Sequence, residues 1–596
     1  MKRSTLNVTF AVGFLAVAMG ILVARANPAT TYESSVYMAT PAVVWVGFAL
    51  ALAIAVSTAL TCRGREQGYG IALGATTVTA IVSLPSIRNY RFSGMGDALS
   101  HLGWTRDIVN GEMGAHELFY PGFHAIASVL YHVGGIPIER GLMLTVAIVF
   151  VPFLVFIPLV VREIAGDGMA IGIAAIVSWM VLPINNIATH MGIHTNSNAL
   201  FLVPVVVFAF VAYLNRRATI ERLPFGLSPF SLLIYLTGIA LLLVHPQQMV
   251  NVVVLLGAIS VAQYLARTRY DDHPMLDHPT TYAHTAVLGI IFSVWAVSNE
   301  RFRNAAEGLI AGIFEEDVGG GAEVDQRESS LEEVGGSLGE LFVTMFLDLA
   351  VVSLIVGLFI LLVWLGRSTV DSETKSFVNY LSIALIPLTG MFVLYFVGTP
   401  TMAFRQIGFI AVILTILAGV ALARAIGALS NVITLPAGTA VAALLLGACL
   451  ILGLMTVYAS PIIYSPSQHV TDHQFSGYES ALEYGEEDTP LVGYGTDPYR
   501  YDHAINGVEG EENLGAATTA SGSVEPDEFE SGNYSGAYNG VGYNFVVTEY
   551  DTTRELDVYQ ELHHSEAALE AIEYDDDADK VISNDEFRMY DVSGEQ

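Results

Sequence analysis

The chain has almost no lysine. Only Lys2, Lys375 and Lys580 occur among its 596 residues, and none of them follows a glycine. The GxxxxGK[ST] loop that cradles nucleotide phosphates is therefore missing, which disfavours an ATP-driven pump. Cysteine is equally scarce: Cys62 and Cys449 fall in or beside apolar runs, so the C-terminal part has no disulfide framework. Positive charge is sparse overall, with 26 Lys and Arg against 58 Asp and Glu. After Pro461 there are 31 acids and four basic residues (Arg500, Arg554, Lys580 and Arg588), which places 27 of the 32 net negative charges in the tail. Such a tail repels phosphate backbones, so nucleic acid is excluded as a partner. An acid-rich, lysine-poor surface fits a protein kept soluble at very high salt, as in a halophile.

What the chain has in abundance is apolar sequence. Hydrophobic residues make up 53% and mean hydropathy is +0.52, and apolar runs of about 20 residues recur along most of the length. The expected fold class is an α-helical polytopic membrane protein, residues 1–460, followed by a small acidic extracytoplasmic α/β domain, residues 461–596. Thirteen spans are expected, at about 6–24, 42–61, 71–87, 141–161, 168–183, 199–214, 230–244, 249–265, 281–297, 342–365, 377–397, 407–423 and 433–457. The first, with its basic start and Ala24-Arg25-Ala26, is long for a signal peptide and is read as a span.

Basic residues near the span ends set the orientation. With Lys2 and Arg3 cytoplasmic, Arg63, Arg65, Arg162, Arg216, Arg217, Arg222, Arg267, Arg269, Arg367, Lys375 and Arg424 fall on the same side. The tail and the loop holding Asp97 then lie outside, in a multi-pass protein of the cell membrane. Pro121 to Ile136 is too short and too polar for a span and is read as a helix lying on the outer interface among membrane lipids. No inside loop exceeds roughly 15 residues, so no cytoplasmic domain is available to bind a nucleotide sugar.

The informative stretch is the first large outer loop, 88–140, which begins RNYRFSGMGDALSHLGWTRDIVNGE. It carries Asp97, His101, Arg106, Asp107, Glu112, His116, Glu117 and His124. Each ionised group would cost roughly 2.5 to 3.5 kcal/mol or more at membrane depth, so such a concentration points to chemistry beside the spans. A second acidic outer loop, 298–341, holds the apolar-acidic stretch Glu307 to Asp317 and Gly319-Gly320-Gly321. It reads as an interfacial helix with a lid, or as a disordered acidic connector.

The order of Gly96-Asp97 in a polar loop, Phe119-Tyr120-Pro121, a Val161-Arg162-Glu163 turn, a span ending at Pro183 and a second polar outer loop resembles the GT-C membrane glycosyltransferases. Closest in character are archaeal enzymes that take sugars from dolichyl phosphate, including haloarchaeal dolichyl-phosphate-mannose mannosyltransferases. The resemblance covers about residues 70–410. It implies a dolichyl-phosphate-linked sugar donor, a lipid- or protein-linked glycan acceptor, a role in protein N-glycosylation, and Asp97 as the catalytic carboxylate. The second outer loop, INNIATHMGIHTNSN from Ile184 to Asn198, lacks the acidic pair common in the family, so no cofactor is expected and a divalent metal is not favoured. The absence of a Trp-Trp pair argues against an oligosaccharyltransferase. A lipid-linked sugar flippase or transporter, which would need polar groups at mid-span, is the alternative from another class; a structural partner of an envelope complex is a third.

The residues can be read without the family. A glycosyl phosphate already has a good leaving group, so transfer needs a base for the acceptor hydroxyl and positive charge near the phosphate. Asp97 can be that base, or simply a residue opening a helix. His101, one turn on, can orient the carboxylate or contact sugar; Asp107 and Glu112 are weaker candidates. Arg405, in the outer turn GTPTMAFRQ, suits a lipid phosphate, against a snorkelling anchor. His245, in VHPQQ, can contact phosphate or sugar, or be satisfied within its turn. His190 and His194 have i,i+4 spacing that a helix could use for metal, but no third ligand is near. With Tyr120, His124 and Asn196 they form the expected substrate-binding set. In the tail, strands are expected at 491–494, 543–548 and 586–592, a helix at 561–573 and a flexible insert near 507–540, with a glycosylation sequon at Asn533-Tyr534-Ser535.

Overall fold

The computed structural model describes residues 3–216, 222–312, 336–429, 434–485, 489–494, 497–510 and 519–594. Lys2, Arg217, Asp317 and the Gly319-Gly320-Gly321 run, with the lid expectation attached to them, lie outside the described residues. The expected spans coincide with helices, but 71–87 is divided between Arg65–Val82 and Leu84–Ile87, 199–214 between Thr195–Leu200 and Val203–Arg216, and the helix expected at 168–183 ends at Trp179. Among the described residues nine helices are long and apolar enough to cross a membrane, ten if a bent pair counts as one. This is a polytopic helical membrane protein. The helices at 168–179 and 229–244 are apolar but shorter.

The bundle is ordered from inside out by small residues. Among the candidate spans Pro400–Leu429 is the most buried, with 83% of its apolar window inside, whereas Arg3–Ala26 has only 22% buried and faces outward. Close approach replaces the hydrophobic effect as the cohesive term in lipid, because tails are as apolar as leucine. A Cβ on Gly172 would sit 2.1 Å from the carbonyl oxygen of Ala59. Only glycine lets those two helices touch. The polar exception nearby, Gln67, is satisfied by donating to Ala59 O at 2.7 Å.

Seven helices build the candidate site: α1 (Asp97–Asn110), α2 (Gly122–Gly134), α3 (Thr195–Leu200), α4 (Pro246–Arg269), α5 (Glu300–Gly312), α6 (Pro400–Leu429) and α7 (Pro498–Asn506). Helix α2, at 13 residues, is too short to span and is strongly amphipathic, with Phe123, His124, Ala127 and Ser128 inward. Helix α5 turns by 93° from the preceding helix Tyr282–Ser298.

The tail carries a five-stranded sheet in the order β4-β3-β5-β7-β6, from β3 (Leu491–Gly493), β4 (Thr519–Ser523), β5 (Tyr543–Thr548), β6 (Ala578–Asn584) and β7 (Phe587–Val592). Strand β3 pairs in parallel with β4 and β5, while β7 runs antiparallel between β5 and β6. Of the flexible insert expected near 507–540, residues 511–518 lie outside the described residues, and the rest holds β4 and a short helix, Pro526–Glu530. The expected helix at 561–573 is shorter: Ser565 caps Glu566–Ala571, and a 3-10 turn follows. Asn533 lies in a turn, its amide donating to Glu528 at 2.7 Å.

The tail is fastened to the membrane region by a second, two-stranded sheet. Here β1 (Phe92–Ser93) pairs antiparallel with β2 (His469–Val470), Phe92 opposite Val470. Gly94 N donates to Gln468 O at 2.8 Å and Arg91 reaches Asp472 at 3.0 Å. Below it the Tyr90 ring stacks on His469 at 3.7 Å, and Glu33 accepts from the buried Arg88 and from Tyr90. The connection fixes the chain immediately before Asp97.

Candidate active site

Gly96, at φ 55°, turns the chain sharply into α1, so Asp97 is the first helical residue and its carboxylate stands in a cavity of about 240 Å³. Two other segments line that cavity with polar groups: the loop from Asn186 to His194, and α6 with Thr401 and Arg405. Ser467 and Gln468, from the start of the tail, complete the wall.

Arg405 does not sit in a turn, as its sequence suggests. Pro400 follows the single break residue Thr399 and opens α6, so Arg405 occupies that helix's second turn. Its Nη1 touches only Met402 Sδ at 3.4 Å, its Nε is buried without a partner, and no carboxylate pairs with it among the described residues. A half-buried guanidinium left so is a cost that an anion would offset. The 184–194 loop is pinned beside it, because Asn185 Nδ2 donates to Phe404 O at 2.8 Å.

His190 and His194 do not form a helical i,i+4 pair. Asn185 Oδ1 accepts from the backbone of Ile187, Ala188 and Thr189, winding the segment into a loop. His194 instead caps α3, accepting from Ser197 N, and the two rings meet edge to face at 5.3 Å. Among the described residues no group of three or more His, Cys, Asp or Glu is placed to hold a metal.

A buried polar layer adjoins the cavity. His101 Nδ1 lies 3.0 Å from His124 Nε2, so His101 is engaged with α2 and does not orient Asp97, whose side chain points away into the opening at 67% exposure. The Tyr120 ring is 5.2 Å from that of His245, the residue linking Val244 to α4, and 6.2 Å from His101. Asn196 accepts from Gln248 at 2.6 Å. The Nδ1 of His245, both amide atoms of Gln247, the Nδ2 of Asn196 and the Thr399 hydroxyl are buried with no partner among the described residues. Unpaired polar atoms of this density suit a ligand rich in hydroxyls.

Burial keeps the imidazoles neutral. It pushes His101 down to about 3, helped by the charges of His245, Arg500 and Arg301, and pushes His245 to about 3 and His190 to about 4, with Arg405 adding to both. His124 and His194 are lowered the same way, by burial first. Burial likewise raises the Tyr120 phenol, which stays protonated. At neutral pH these groups therefore offer hydrogen bonds but no charge. His245 can donate to a phosphate; the positive charge must come from arginine. Besides Arg405, Arg301 of α5 stands over the Phe119 ring at 5.9 Å.

One sequence candidate has another role, and one residue at the site was not anticipated. Asp107 is fully buried, pushed up to about 6 by that burial, and accepts from Val508 N and Glu509 N at 2.9 and 3.1 Å; it holds the tail and does not line the cavity. The partner of Asp97 is Arg500 of α7, at 2.7 Å. Nothing in the local sequence of either residue signals that pair.

No family model and no curated protein matches the chain. Among solved structures it is similar to ArnT from Cupriavidus metallidurans bound to undecaprenyl phosphate, at 14% identity and TM-score 0.44, covering 88% of this chain and 98% of that one. The apo state of the same ArnT gives 12%, 0.47, 89% and 100%. The archaeal oligosaccharyltransferase AglB from Archaeoglobus fulgidus, in complex with an inhibitory peptide and a dolichol-phosphate, gives 13%, 0.42, 82% and 68%. Likenesses of this size leave the chemistry to be argued from the residues themselves.

Proposed function

We propose that the chain is a membrane glycosyltransferase of the GT-C type that moves a sugar, mannose by the sequence resemblance, from a dolichyl-phosphate carrier to a lipid- or protein-linked glycan outside the membrane. The observation that carries the reading is the meeting of Asp97 and the carboxylate-free Arg405 in one polar cavity beside apolar helices. In this reading the acceptor hydroxyl attacks the anomeric carbon as Asp97 takes its proton. The carbon–oxygen bond to phosphate breaks, the lipid phosphate leaves with the electron pair beside Arg405, and the anomeric centre inverts. The neutral imidazoles of His190 and His194, which line the cavity, hold sugar hydroxyls, with Tyr120 and the buried polar layer behind them.

The test is Asp97→Asn in the full-length protein. Sugar transfer should vanish while binding of the lipid donor persists, and glycans of the producing strain should shorten by one sugar. Unchanged transfer would reject the enzyme reading.

A further inference from the structure

The acidic tail does more than cover the membrane region. We propose that Arg500, delivered by the C-terminal domain, is a positioning residue for Asp97, so that the active site is assembled from both ends of the chain. This rests on the reading of Asp97 as the base.

Asp97 opens α1 directly after Gly96, whose positive φ turns the chain into the helix. Arg500 is its one ion-pair partner among the described residues: Nη2 meets Oδ1 at 2.7 Å. The other arm, Nη1, donates to Ser100 Oγ at 2.8 Å, and Ser100 also contacts His503 Nδ1 at 2.8 Å. One guanidinium thus bridges the first and fourth residues of α1. With Oδ1 engaged, Oδ2 is the oxygen left to take the acceptor proton, and arginine, always protonated, cannot compete for it.

The pair is not what docks the tail. Helix α7 lies against α1 where Gly103 allows contact with the His503 carbonyl, Arg106 Nε donates to Ala504 O at 2.9 Å, and Asp107 accepts from Val508 and Glu509. The β1–β2 pair adds a second attachment. An ion pair with one exposed partner contributes little to stability, and here Asp97 is 67% exposed while Arg500 is 23% exposed with a buried, unpartnered Nε. The arrangement costs more than docking requires and sets one carboxylate oxygen.

The test compares full-length wild type, Arg500→Ala, Arg500→Lys and Asp97→Asn in lipid nanodiscs, measuring kcat, the KM for a short-chain dolichyl-phosphate sugar, and melting temperature. Arg500→Ala should lower kcat by about ten- to a hundredfold, the worth of one charged hydrogen bond, with donor KM and melting temperature unchanged. Arg500→Lys should recover part of the loss. Wild-type kcat in Arg500→Ala beside an inactive Asp97→Asn overturns the positioning role and leaves the Asp97 reading standing. A lowered melting temperature with no rescue by lysine overturns it in favour of docking alone. Transfer that survives Asp97→Asn instead removes the reading beneath.

Discussion

Removing the guanidinium of Arg405 should weaken binding of the lipid-phosphate donor and leave the acceptor unaffected. Among the described residues Arg405 has no carboxylate partner, its Nε is buried and unpaired, and its one hydrogen-bond contact is a thioether. A phosphate about 4 Å away at an effective dielectric of about 20 attracts it by about 4 kcal/mol. Part of that is spent on desolvating the phosphate, leaving about 1.5–3 kcal/mol, the range measured for charged hydrogen bonds. In Arg405→Ala the donor Kd should therefore rise about 10- to 150-fold. Arg405→Lys, keeping charge but losing the fork, should recover only part. The folded protein should melt no lower in Arg405→Ala, since an unpaired, half-buried cation has been removed. Titration of a short-chain polyprenyl phosphate into nanodisc-embedded protein measures the first quantity. An unchanged donor Kd would refute the reasoning and move the phosphate to Arg301, Arg303 or His245.

Two further outcomes follow from burial and packing. His101, His190 and His245 ionise well below the 6.5 of an unfolded chain, so the unfolded state binds more protons as the medium is acidified. Their contribution is complete above about 6.5 and is lost as pH falls towards 3–4, and between pH 7 and 5 each ring that stays neutral should cost about 2 kcal/mol. The melting temperature should fall over that interval, less steeply in His245→Gln; a flat profile in wild type would contradict the neutral cluster. Separately, a methyl on Gly103 would sit 2.2 Å from the His503 carbonyl oxygen. Backbone must move, so Gly103→Ala should cost about 1–3 kcal/mol and speed proteolytic release of the tail, whereas wild-type resistance to protease would show that α7 is not held there.

The spans were legible because lipid imposes length and apolarity locally; the roles of the ionisable groups in the 88–140 loop were not, since Asp97 lines the cavity while Arg106 and Asp107 hold the tail. Strand β5 and the final strand were legible from β-branched and aromatic runs; β4, Thr-Ala-Ser-Gly-Ser, has one β-branched residue and no aromatic, and pairs along the edge of β3. The His190/His194 spacing misled because Asn185 supplies three local hydrogen bonds that compete with a helix. Arg405 was singled out in sequence but placed in a turn, since hydropathy marks where a span becomes apolar and not where its first turn begins. The Asp97–Arg500 pair joins residues about four hundred positions apart, and no periodicity carries information over that distance.

The pairing of Phe92 with Val470 also sets a schedule for biogenesis. The loop bearing Asp97 emerges after the first three expected spans, yet β2, α7 and the backbone amides that grip Asp107 are synthesised only after the last span. Contacts so remote in sequence form late, because the chain between them must first be ordered. A ribosome-bound intermediate with every helix already inserted thus still lacks the strand beside Ser93 and the arginine against Asp97. On the proposed function, competence arrives with the final quarter of translation, and chains cut short before residue 469 should remain in the bilayer without transfer activity.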